Sequence, residues 1–260
     1  MKLFAFAFLS LMAGAFAAAS PSCGDRPIRL AFFEYGLYYF HGQGIDKDLA
    51  DALQQRSGCR FELQEQARAR TWHDLRSGQL DMALSALQSP DRDSFAWFEP
   101  YLWLKNLTLL PRDVAQSVTD AGTFLARPQL KMGVVRGFKH GETQDRWIDR
   151  LRRQNRVVEF VDAEQLFRNL AAHHVDAAIA DILVFQRLLT PVELENVVVE
   201  DWIPAAKGDP VNVVIAKARF SAEEAEQWRV LVRQMLADGT IHAILRRYLP
   251  EVEADKLTKP

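Results

Sequence analysis

The sequence is short of several features that would indicate a function by themselves. It has only two cysteines in 260 residues, a formal net charge of −2, and no internal repeat or low-complexity segment. The near-neutral charge gives no electrostatic reason to expect a nucleic-acid partner. The remaining composition, 48% hydrophobic and 25% charged, carries no signature of disorder and predicts a globular chain of one large domain or two modest ones.

Catalytic and metal-binding motifs are absent from the sequence as well. The six histidines include the adjacent pair His173 and His174 but no His-x-x-x-His spacing, so we expect no metal site. There is no Gly-x-Ser-x-Gly motif, and GFKHG at 137–141 lacks the spacing of a phosphate-binding loop. Glu62 and Glu65 are close in sequence, but no other residue organises them as an acid–base pair. We therefore expect neither an enzyme nor a bound cofactor.

Residues 1–19, MKLFAFAFLSLMAGAFAAA, form the one long hydrophobic run of the chain. A single lysine, an apolar segment and small residues in an A-x-A pattern are typical of a secretory signal peptide. A membrane anchor is the alternative, but the run is short for a span and no charged stop follows it. A lipid anchor on Cys23 is a further alternative, although the preceding Ser-Pro-Ser makes a poor lipoprotein cleavage site. We predict a signal peptide and an exported protein.

The two cysteines, Cys23 and Cys59, both lie in the first quarter of the chain. In an exported protein, an isolated pair predicts a disulfide rather than a reactive thiol. Cys23 precedes the apolar strand pattern IRLAFF at 28–33, and Cys59 begins the next strand pattern, CRFEL, at 59–63. If the two strands are neighbours, the bridge ties the mature N-terminus to the sheet.

Strand and helix patterns alternate in two series along the chain. In the first series, strands at 28–33, 59–63 and 80–87 are separated by a helix beginning near Asp46 and a short helix around Trp72. In the second series, strands at 130–135, 157–161 and 175–181 are separated by helices over 143–153 and after Asp162. Repeated β-α-β units of this kind predict two parallel sheets with right-handed crossovers.

Two long extended runs lie outside these series. YLWLKNLTLLPRD at 101–113 lies between them, and DPVNVVIAKA at 209–218 follows the second. One run entering a domain and one leaving it predict a hinge of two crossing segments. A helix begins at the Ser221 and Glu224 capping box, and a shorter helix follows over 241–249. We expect this tail to pack back on the first domain.

In this order, the segments resemble a known family. GIDKDLADAL, LRSGQLDMALSAL, FAWFEPY, KMGVVRGF and VDAAIAD together resemble the bacterial extracellular solute-binding family 3, the periplasmic solute-binding proteins of polar-amino-acid ABC transporters. The resemblance covers essentially the whole mature chain. It implies an α/β, two-lobed periplasmic binding protein fold of type II, in which each lobe is a mainly parallel sheet flanked by helices. Residues 24–108 with 210–260 form lobe 1, residues 109–209 form lobe 2, and two hinge strands join them.

The same resemblance implies a function and its partners. The protein is expected to act in the periplasm as a monomer, without a cofactor. It would capture an amino acid or a related small polar zwitterion or acid by hinge closure and deliver it to an ABC permease in the inner membrane. No nucleic acid is expected as a partner.

The resemblance also implies a ligand site between the lobes. Arg92 matches the arginine that pairs with the ligand's α-carboxylate, because a guanidinium fork grips a carboxylate at two points. Asp181 matches the aspartate that holds the ligand's ammonium group, and it follows a strand end, where open α/β sheets bind ligands. The other matching positions are Tyr35, Tyr38, Arg70, Ser85, Ala86, Gly137 and Phe138.

Several of these residues have a purely structural alternative. Arg92 could make a surface pair with Asp91 or Asp93, and Asp181 could cap the helix that follows it. Arg70 could be a solvated arginine at a helix start. Tyr38 and its neighbour Tyr39 point in opposite directions if the segment is extended, so at most one of them lines the cleft. We expect Phe95, Trp97 and Phe98 to belong to the core.

The sequence departs from the family pattern in two places that affect ligand choice. LQSPDR at 87–92 lacks the two threonines that often precede the arginine, and it is one residue shorter. Phe138 stands where a serine or threonine is frequent, which removes a hydroxyl donor. A pocket with Arg70 and Arg92 but one acid, Asp181, would prefer an acidic or uncharged zwitterion to a basic amino acid.

Two other functions are compatible with the same scaffold. Some relatives are exported dehydratases that act on prephenate-like or arogenate-like acids with a cleft carboxylate. Glu34 is the one acid that the sequence places near the cleft. The third class is a sensor-like binding module that acts on another exported protein.

Overall fold

The structure is a computed structural model that describes residues 20–259. The predicted signal peptide at 1–19 therefore lies outside the described residues. Within the described range there is no helix of the length and apolarity needed to cross a membrane.

Strands and helices alternate along the described residues. The strands are β1 (Ile28–Phe32), β2 (Phe61–Glu65), β3 (Met82–Ala86), β4 (Ala96–Leu104), β5 (Leu107–Pro111), β6 (Met132–Val135), β7 (Val157–Phe160), β8 (Ala177–Ala180), β9 (Val197–Glu200) and β10 (Asp209–Ala216). The helices are α1 (Ile45–Ser57), α2 (Arg68–Ser77), α3 (Pro90–Asp93), α4 (Arg112–Ala115), α5 (Ala121–Leu125), α6 (Glu142–Arg153), α7 (Ala163–Ala171), α8 (Ile182–Leu188), α9 (Pro191–Glu195), α10 (Ala222–Ala237), α11 (Thr240–Leu245) and α12 (Glu251–Leu257).

The first sheet is built from two separate parts of the chain. Its strand order is β2-β1-β3-β10-β4; β1 pairs in parallel with β2 and β3, and β10 runs antiparallel between β3 and β4. The β3 sequence, MALSA, is buried at all five positions, as expected of a central strand that is covered on both faces. Helices α1 and α2 connect the parallel strands, and α10 packs against β4.

The second sheet has the order β7-β6-β8-β5-β9. β6 pairs in parallel with β7 and β8, whereas β5 runs antiparallel to β8 and β9. The three strands predicted for this series are β6, β7 and β8. Among the strands of this sheet only β5 runs against the others, because it arrives from the first sheet without a crossover helix; β9, which is antiparallel to β5, has the same direction as β8. Both sheets are thus mixed, each with a parallel group of three strands, and the predicted two-lobed α/β fold is confirmed.

The chain crosses between the two sheets twice. The extended run predicted at 101–113 is divided between them, because β4 ends at Leu104, β5 begins at Leu107, and only Lys105 and Asn106 separate the strands. The return crossing lies between β9 and β10. The lobe boundaries predicted at residues 108–109 and 209–210 lie near these two crossings and stay a prediction.

The C-terminal helix α10 illustrates how the sequence pattern produces an element. Ser221 Oγ accepts a hydrogen bond from the Glu224 backbone N–H, and Glu224 Oε2 accepts one from the Ser221 N–H, which completes the predicted capping box. The helix buries Trp228, Leu231, Val232 and Met235. It therefore returns the tail to the first sheet, as predicted.

Cys23 and Cys59 form a disulfide whose Cα atoms are 5.2 Å apart. Cys59 lies two residues before the first residue of β2, which pairs with β1, so the predicted strand neighbourhood is confirmed. The segment before Cys23 is also held from the other side, because Trp228 Nε1 donates to the Ser22 carbonyl oxygen at 3.3 Å. The bridge therefore joins the beginning of the described chain to the edge of the first sheet.

Replacing both Cys23 and Cys59 with serine is expected to lower the free energy of unfolding by about 3–4 kcal/mol. The reason is the loss of a cross-link that restricts the unfolded chain over a separation of 36 residues. Urea unfolding of the oxidised wild type and the double variant measures the difference, and the reduced wild type should unfold with the variant. Equal midpoints, or two free thiols in denatured, unreduced wild type, would contradict the prediction.

Candidate functional site

The candidate site is a small cavity between the two sheets, at the carboxyl ends of their parallel strands. Tyr35 and Tyr38 follow β1, Ser85 lies near the end of β3, Phe138 follows β6 and Asp181 follows β8. The strand ends of an open α/β sheet are where ligands bind. The cavity encloses about 30 Å³, which is room for about two water molecules. The lobes are in contact across it in this conformation.

Arg92 lies in the short helix α3 with its side chain pointing into the cavity. It is 4% exposed, and it donates from Nη1 to the Leu87 carbonyl at 2.7 Å and from Nη2 to the Gly137 carbonyl at 2.8 Å. The guanidinium also lies on the Trp72 ring, 3.6 Å from its centroid. The surface pair with a neighbouring aspartate is therefore wrong, because no carboxylate among the described residues binds this guanidinium.

Burial, together with the nearby positive charge of Arg68, lowers the pKa of Arg92 to about 9. The group nevertheless stays cationic at neutral pH. Its present partners are carbonyl dipoles and an aromatic face, which offset less charge than a carboxylate does. Arg92 is thus a buried cation that an anion could bind directly.

Asp181 lines the same cavity from the other lobe. Its Oδ1 accepts from the Leu183 backbone N–H at 2.9 Å, so it caps α8, and its Oδ2 accepts from the Tyr38 hydroxyl at 3.2 Å. Burial raises the pKa of Asp181 to about 7. The helix-capping alternative for Asp181 is therefore confirmed, and the contact of its Oδ2 with a ligand stays a prediction. No cation pairs with it among residues 20–259.

The second arginine at the cavity is Arg68, whereas the sequence pointed to Arg70. Arg68 is 3% exposed, and it donates to the Leu84 and Ser85 carbonyls at 3.1 and 2.8 Å. The Arg70 side chain is 70% exposed and pairs with Asp74 one helical turn away. Positions two apart on a helix face different sides, so only one of the two arginines can reach the cavity.

Aromatic side chains from both lobes form one wall of the cavity. The Tyr35 ring lies 4.5 Å from Phe138 and 5.5 Å from Tyr38, between ring centroids. Burial raises the pKa of both tyrosines well above the ordinary value, so they are neutral donors. Tyr39 stacks on Phe32 at 4.7 Å on the opposite side, which agrees with the expectation that only one residue of the pair Tyr38 and Tyr39 lines the cleft.

Ser85 lines the cavity, but its hydroxyl is committed elsewhere. The residue has φ +53°, an unusual conformation for a residue other than glycine, and its Oγ donates to Asp46 Oδ2 at 2.6 Å. The Tyr101 hydroxyl donates to the same carboxylate at 2.8 Å. Ala86 is fully buried, and its carbonyl accepts from Asn212 Nδ2 at 2.8 Å. Ala86 is therefore not among the residues that line the cavity.

The loop after β6 differs from the expectation for it. Gly137 uses its carbonyl oxygen, which accepts from Arg92 and from Trp72 Nε1 at 2.9 Å. The expected helix N-terminus is not at this loop, because α6 begins only at Glu142. Gly137 has φ +84°, and a Cβ there would lie 3.0 Å from the Ala69 Cα. Glycine thus allows the second lobe to approach α2 closely.

A second close approach between the lobes lies on the other side of the cavity. The Leu37 N–H donates to the Leu183 carbonyl at 2.8 Å, and a Cβ on Gly36 would lie 2.5 Å from the same carbonyl oxygen. Five further residues that were not predicted from the sequence line the cavity: Leu87, Leu104, Asn106, Lys139 and Val211. Asn106 could have been anticipated, because it interrupts the apolar run between the two sheets.

Glu34, the acid considered for dehydratase chemistry, lies outside this inner cavity. Its Oε1 accepts from the His41 backbone N–H at 2.8 Å, and it lines an adjacent cavity of about 220 Å³. Over residues 20–259, no group of three or more histidine, cysteine, aspartate or glutamate side chains is arranged to hold a metal ion. The charged side chains that line the inner cavity include those of Arg68, Arg92, Lys139 and Asp181.

We expect the protein to become more stable as the pH falls from 7 towards 5. Burial raises the pKa of Asp46 and of Asp181 to about 7, above the value near 4 of an unfolded chain. The folded state therefore binds protons that the unfolded state does not bind, and the cost of the two buried carboxylates grows as the pH rises from 4 to 7. Because two groups titrate, the expected slope between pH 7 and 5 is about 2 kcal/mol per pH unit.

Urea unfolding at pH 8, 7, 6 and 5 measures this dependence. The variant Asp46→Asn provides the comparison, because it removes one of the two titrating groups and should reduce the slope. Asp81 is also buried, but hydrogen bonds from Arg26 and Arg29 hold its pKa at about 2. Protonation of Asp81 therefore lowers the stability of the protein only below about pH 4. Stability that stays level or decreases from pH 7 to 5 would contradict the raised pKa values of Asp46 and Asp181.

Comparison with known proteins gives a family match over most of the chain. The model of the family described as bacterial extracellular solute-binding proteins, family 3, matches residues 36–251. No protein with a curated description matches the chain in sequence.

Solved structures match over most of the length of both chains. An ancestral arginine-binding protein bound to arginine is 18% identical, with a TM-score of 0.72 over 86% of this chain and 98% of that chain. The arginine-, lysine-, histidine-binding protein ArtJ from Geobacillus stearothermophilus is 18% identical, with a TM-score of 0.71 over 86% and 95%. The ancestral amino acid-binding protein AncCDT-1, a precursor of cyclohexadienyl dehydratase, is 19% identical, with a TM-score of 0.68 over 86% and 96%. At these identities the likeness shows the fold alone.

Proposed function

Because the chain belongs to the bacterial extracellular solute-binding proteins, family 3, we propose that it captures an amino acid or a related small polar solute in the periplasm. The observation that carries the proposal is the pair of buried, opposite charges across the cavity. Arg92 belongs to the part of the chain that forms the first sheet and Asp181 to the part that forms the second, and both line one space. An amino acid carries a carboxylate and an ammonium group, which these side chains would bind.

Capture is proposed to occur by hinge closure about the two crossings between the sheets. The cavity of about 30 Å³ is far below the roughly 300–1,000 Å³ of ordinary ligand pockets, so the lobes must separate before a solute enters. On closing, the solute would take over the hydrogen bonds that Arg92 now makes to Gly137 and that Tyr38 makes to Asp181. A ligand that contacts both lobes at once favours the closed state, since those contacts exist together only there.

The remaining parts of the proposal follow from family membership. We propose that the protein acts as a monomer, delivers its solute to an ABC permease of the inner membrane, and catalyses no reaction. The position of Glu34 outside the inner cavity does not favour the dehydratase alternative, and incubation with prephenate, followed by absorbance, would detect that activity.

The direct test is isothermal titration of the mature protein with the twenty amino acids, short peptides and small organic acids. We expect at least one panel member to bind near 1 μM, which corresponds to roughly −8 kcal/mol. That energy is within reach of two charged contacts and aromatic burial. Folded protein that binds no member of the panel would contradict the proposed function. Capture of another exported protein without solute binding would favour the sensor-like alternative.

A further inference from the structure

Arg68 is a buried cation with unused hydrogen-bonding capacity. Its Nη1 and Nη2 donate to the Leu84 and Ser85 carbonyls, while its Nε–H has no partner among the described residues. The side chain is 3% exposed, so bulk water does not readily satisfy this donor. A buried donor left unsatisfied is costly, and here it lies at the wall of the cavity.

The carboxylates near Arg68 do not pair with its charge. Asp46 is the nearest influence, but its oxygens accept hydrogen bonds from Ser85 and Tyr101, and it makes no ion pair with Arg68. Lys139 also lines the cavity, and its ammonium group lies 3.8 Å from Asp91 Oδ1. The cavity wall thus carries more positive than negative charge, and a cationic ligand side chain placed against Arg68 would be repelled.

Trp72 holds the two guanidinium groups close together. The Arg68 Cζ lies 4.7 Å and the Arg92 Cζ 3.6 Å from the centroid of this one ring, and Arg68 also lies 4.3 Å from the Phe33 ring. Stacking on aromatic rings occupies the faces of a guanidinium and leaves its N–H edges available. Both guanidinium groups line one cavity, so a small molecule with two acidic ends could contact both of them.

Arg68 also lies at the place where the inner cavity can grow. It lines both the inner cavity and the adjacent one of about 220 Å³, as does Phe138. A modest displacement of these two side chains as the lobes open would join the two spaces. The adjacent space is also lined by the carboxylates of Glu34, Glu65 and Asp162, so the second acidic end of a ligand would lie at Arg68 itself and not beyond it.

We propose that Arg68 binds a second carboxylate, so that the solute is a small molecule with two carboxylates, one on Arg92 and one on Arg68. The inference rests on the proposed function of the same site. An acidic amino acid would in addition place its ammonium group at Asp181, whereas a dicarboxylic acid without an amine would leave that residue to Tyr38. Both carry the two carboxylates that the site selects.

The experiment is isothermal titration at pH 7.5 with L-glutamate, L-aspartate, glutarate, succinate, L-glutamine and L-arginine. We expect the best dicarboxylate to bind at least about tenfold more tightly than L-glutamine or L-arginine, since hydrogen bonds to a charged partner differ from neutral ones by that order. L-Glutamate against glutarate distinguishes an acidic amino acid from a plain dicarboxylic acid.

Variants then assign the preference to Arg68. In Arg68→Gln, the dicarboxylate should lose its advantage over L-glutamine, with a ratio near one, while Arg70→Gln on the same helix should keep the wild-type ratio. Thermal unfolding verifies that each variant is folded. Should Arg68→Gln fail to fold, Arg68→Lys retains the charge but lacks the planar fork, and its preference should fall by about threefold or more.

The outcomes separate this inference from the proposed function. Tight binding of L-glutamine or L-arginine without an advantage for any dicarboxylate overturns the role of Arg68 and leaves the proposed function standing. A preference that persists in the folded Arg68 variant also overturns it. Absence of binding by all compounds, in this set and in the wider panel, overturns the proposed function itself.

Discussion

Replacing Arg92 with alanine is expected to weaken binding of the best solute by about 100-fold or more. Truncating one member of a buried charged contact costs about 2–5 kcal/mol, and each tenfold change in affinity corresponds to about 1.4 kcal/mol. Arg92 supports this magnitude because the residue is 4% exposed, and among the described residues its guanidinium is held by the Leu87 and Gly137 carbonyls and the Trp72 ring. Isothermal titration of wild type and variant with the tightest-binding compound measures the change.

Two comparison variants make this result interpretable. Arg70→Ala also removes an arginine side chain, but from an exposed position where it pairs with Asp74. The affinity of this variant for the solute should therefore equal that of the wild type. Arg92→Lys keeps the charge but loses the two-pronged contact, and we expect an intermediate affinity. Retention of wild-type affinity by the folded Arg92→Ala protein would show that the ligand's carboxylate binds elsewhere.

Replacing Asp181 with asparagine is expected to weaken binding of any ammonium-bearing solute by about 100-fold and to remove its pH dependence. In the wild type, burial places the pKa of Asp181 at about 7, and only the ionised form attracts an ammonium group. Affinity should therefore fall as the pH is lowered, by up to about tenfold per unit below pH 7. The asparagine variant lacks this titration, so its affinity should be level from pH 8 to 5.

Loss of binding in Asp181→Asn can be separated from loss of folding. Asparagine can still accept the hydrogen bond from the Leu183 N–H that caps α8, and it removes a buried carboxylate that is costly when ionised. We therefore expect the variant to be at least as stable as the wild type at pH 8 in urea unfolding. A stable variant with unchanged affinity and an unchanged pH profile would assign the ammonium site to another group.

The order of elements could be predicted from the sequence because each βα unit carries local signals. The capping box at Ser221 and the apolar positions through Met235 predicted α10, and the continuous apolar run MALSA predicted the buried strand β3. β9 was missed because Val197–Glu200 is only four residues long and follows α9 almost directly. The strands that pair with β5 depend on where the chain crosses between the sheets. This crossing point cannot be predicted from the local sequence pattern.

The site was predicted less completely, because its geometry depends on contacts between distant segments. The choice of Arg70 over Arg68 is the clearest case, since both belong to the same polar stretch. Counting back from Leu75 by helical spacing gives Thr71 and Arg68, which are buried with it; that signal could have identified the right arginine. The use of Gly137 as an acceptor could not be predicted, because the donors, Arg92 and Trp72, come from the other lobe.

The decisive experiment is a crystal structure of the protein grown with its tightest-binding solute. We expect the solute to lie between the lobes, with a carboxylate within hydrogen-bonding distance of Arg92 and a cationic or neutral donor group, or Tyr38 alone, at Asp181. A solute bound outside this cavity, with Arg92 still donating to the Gly137 carbonyl, would contradict it.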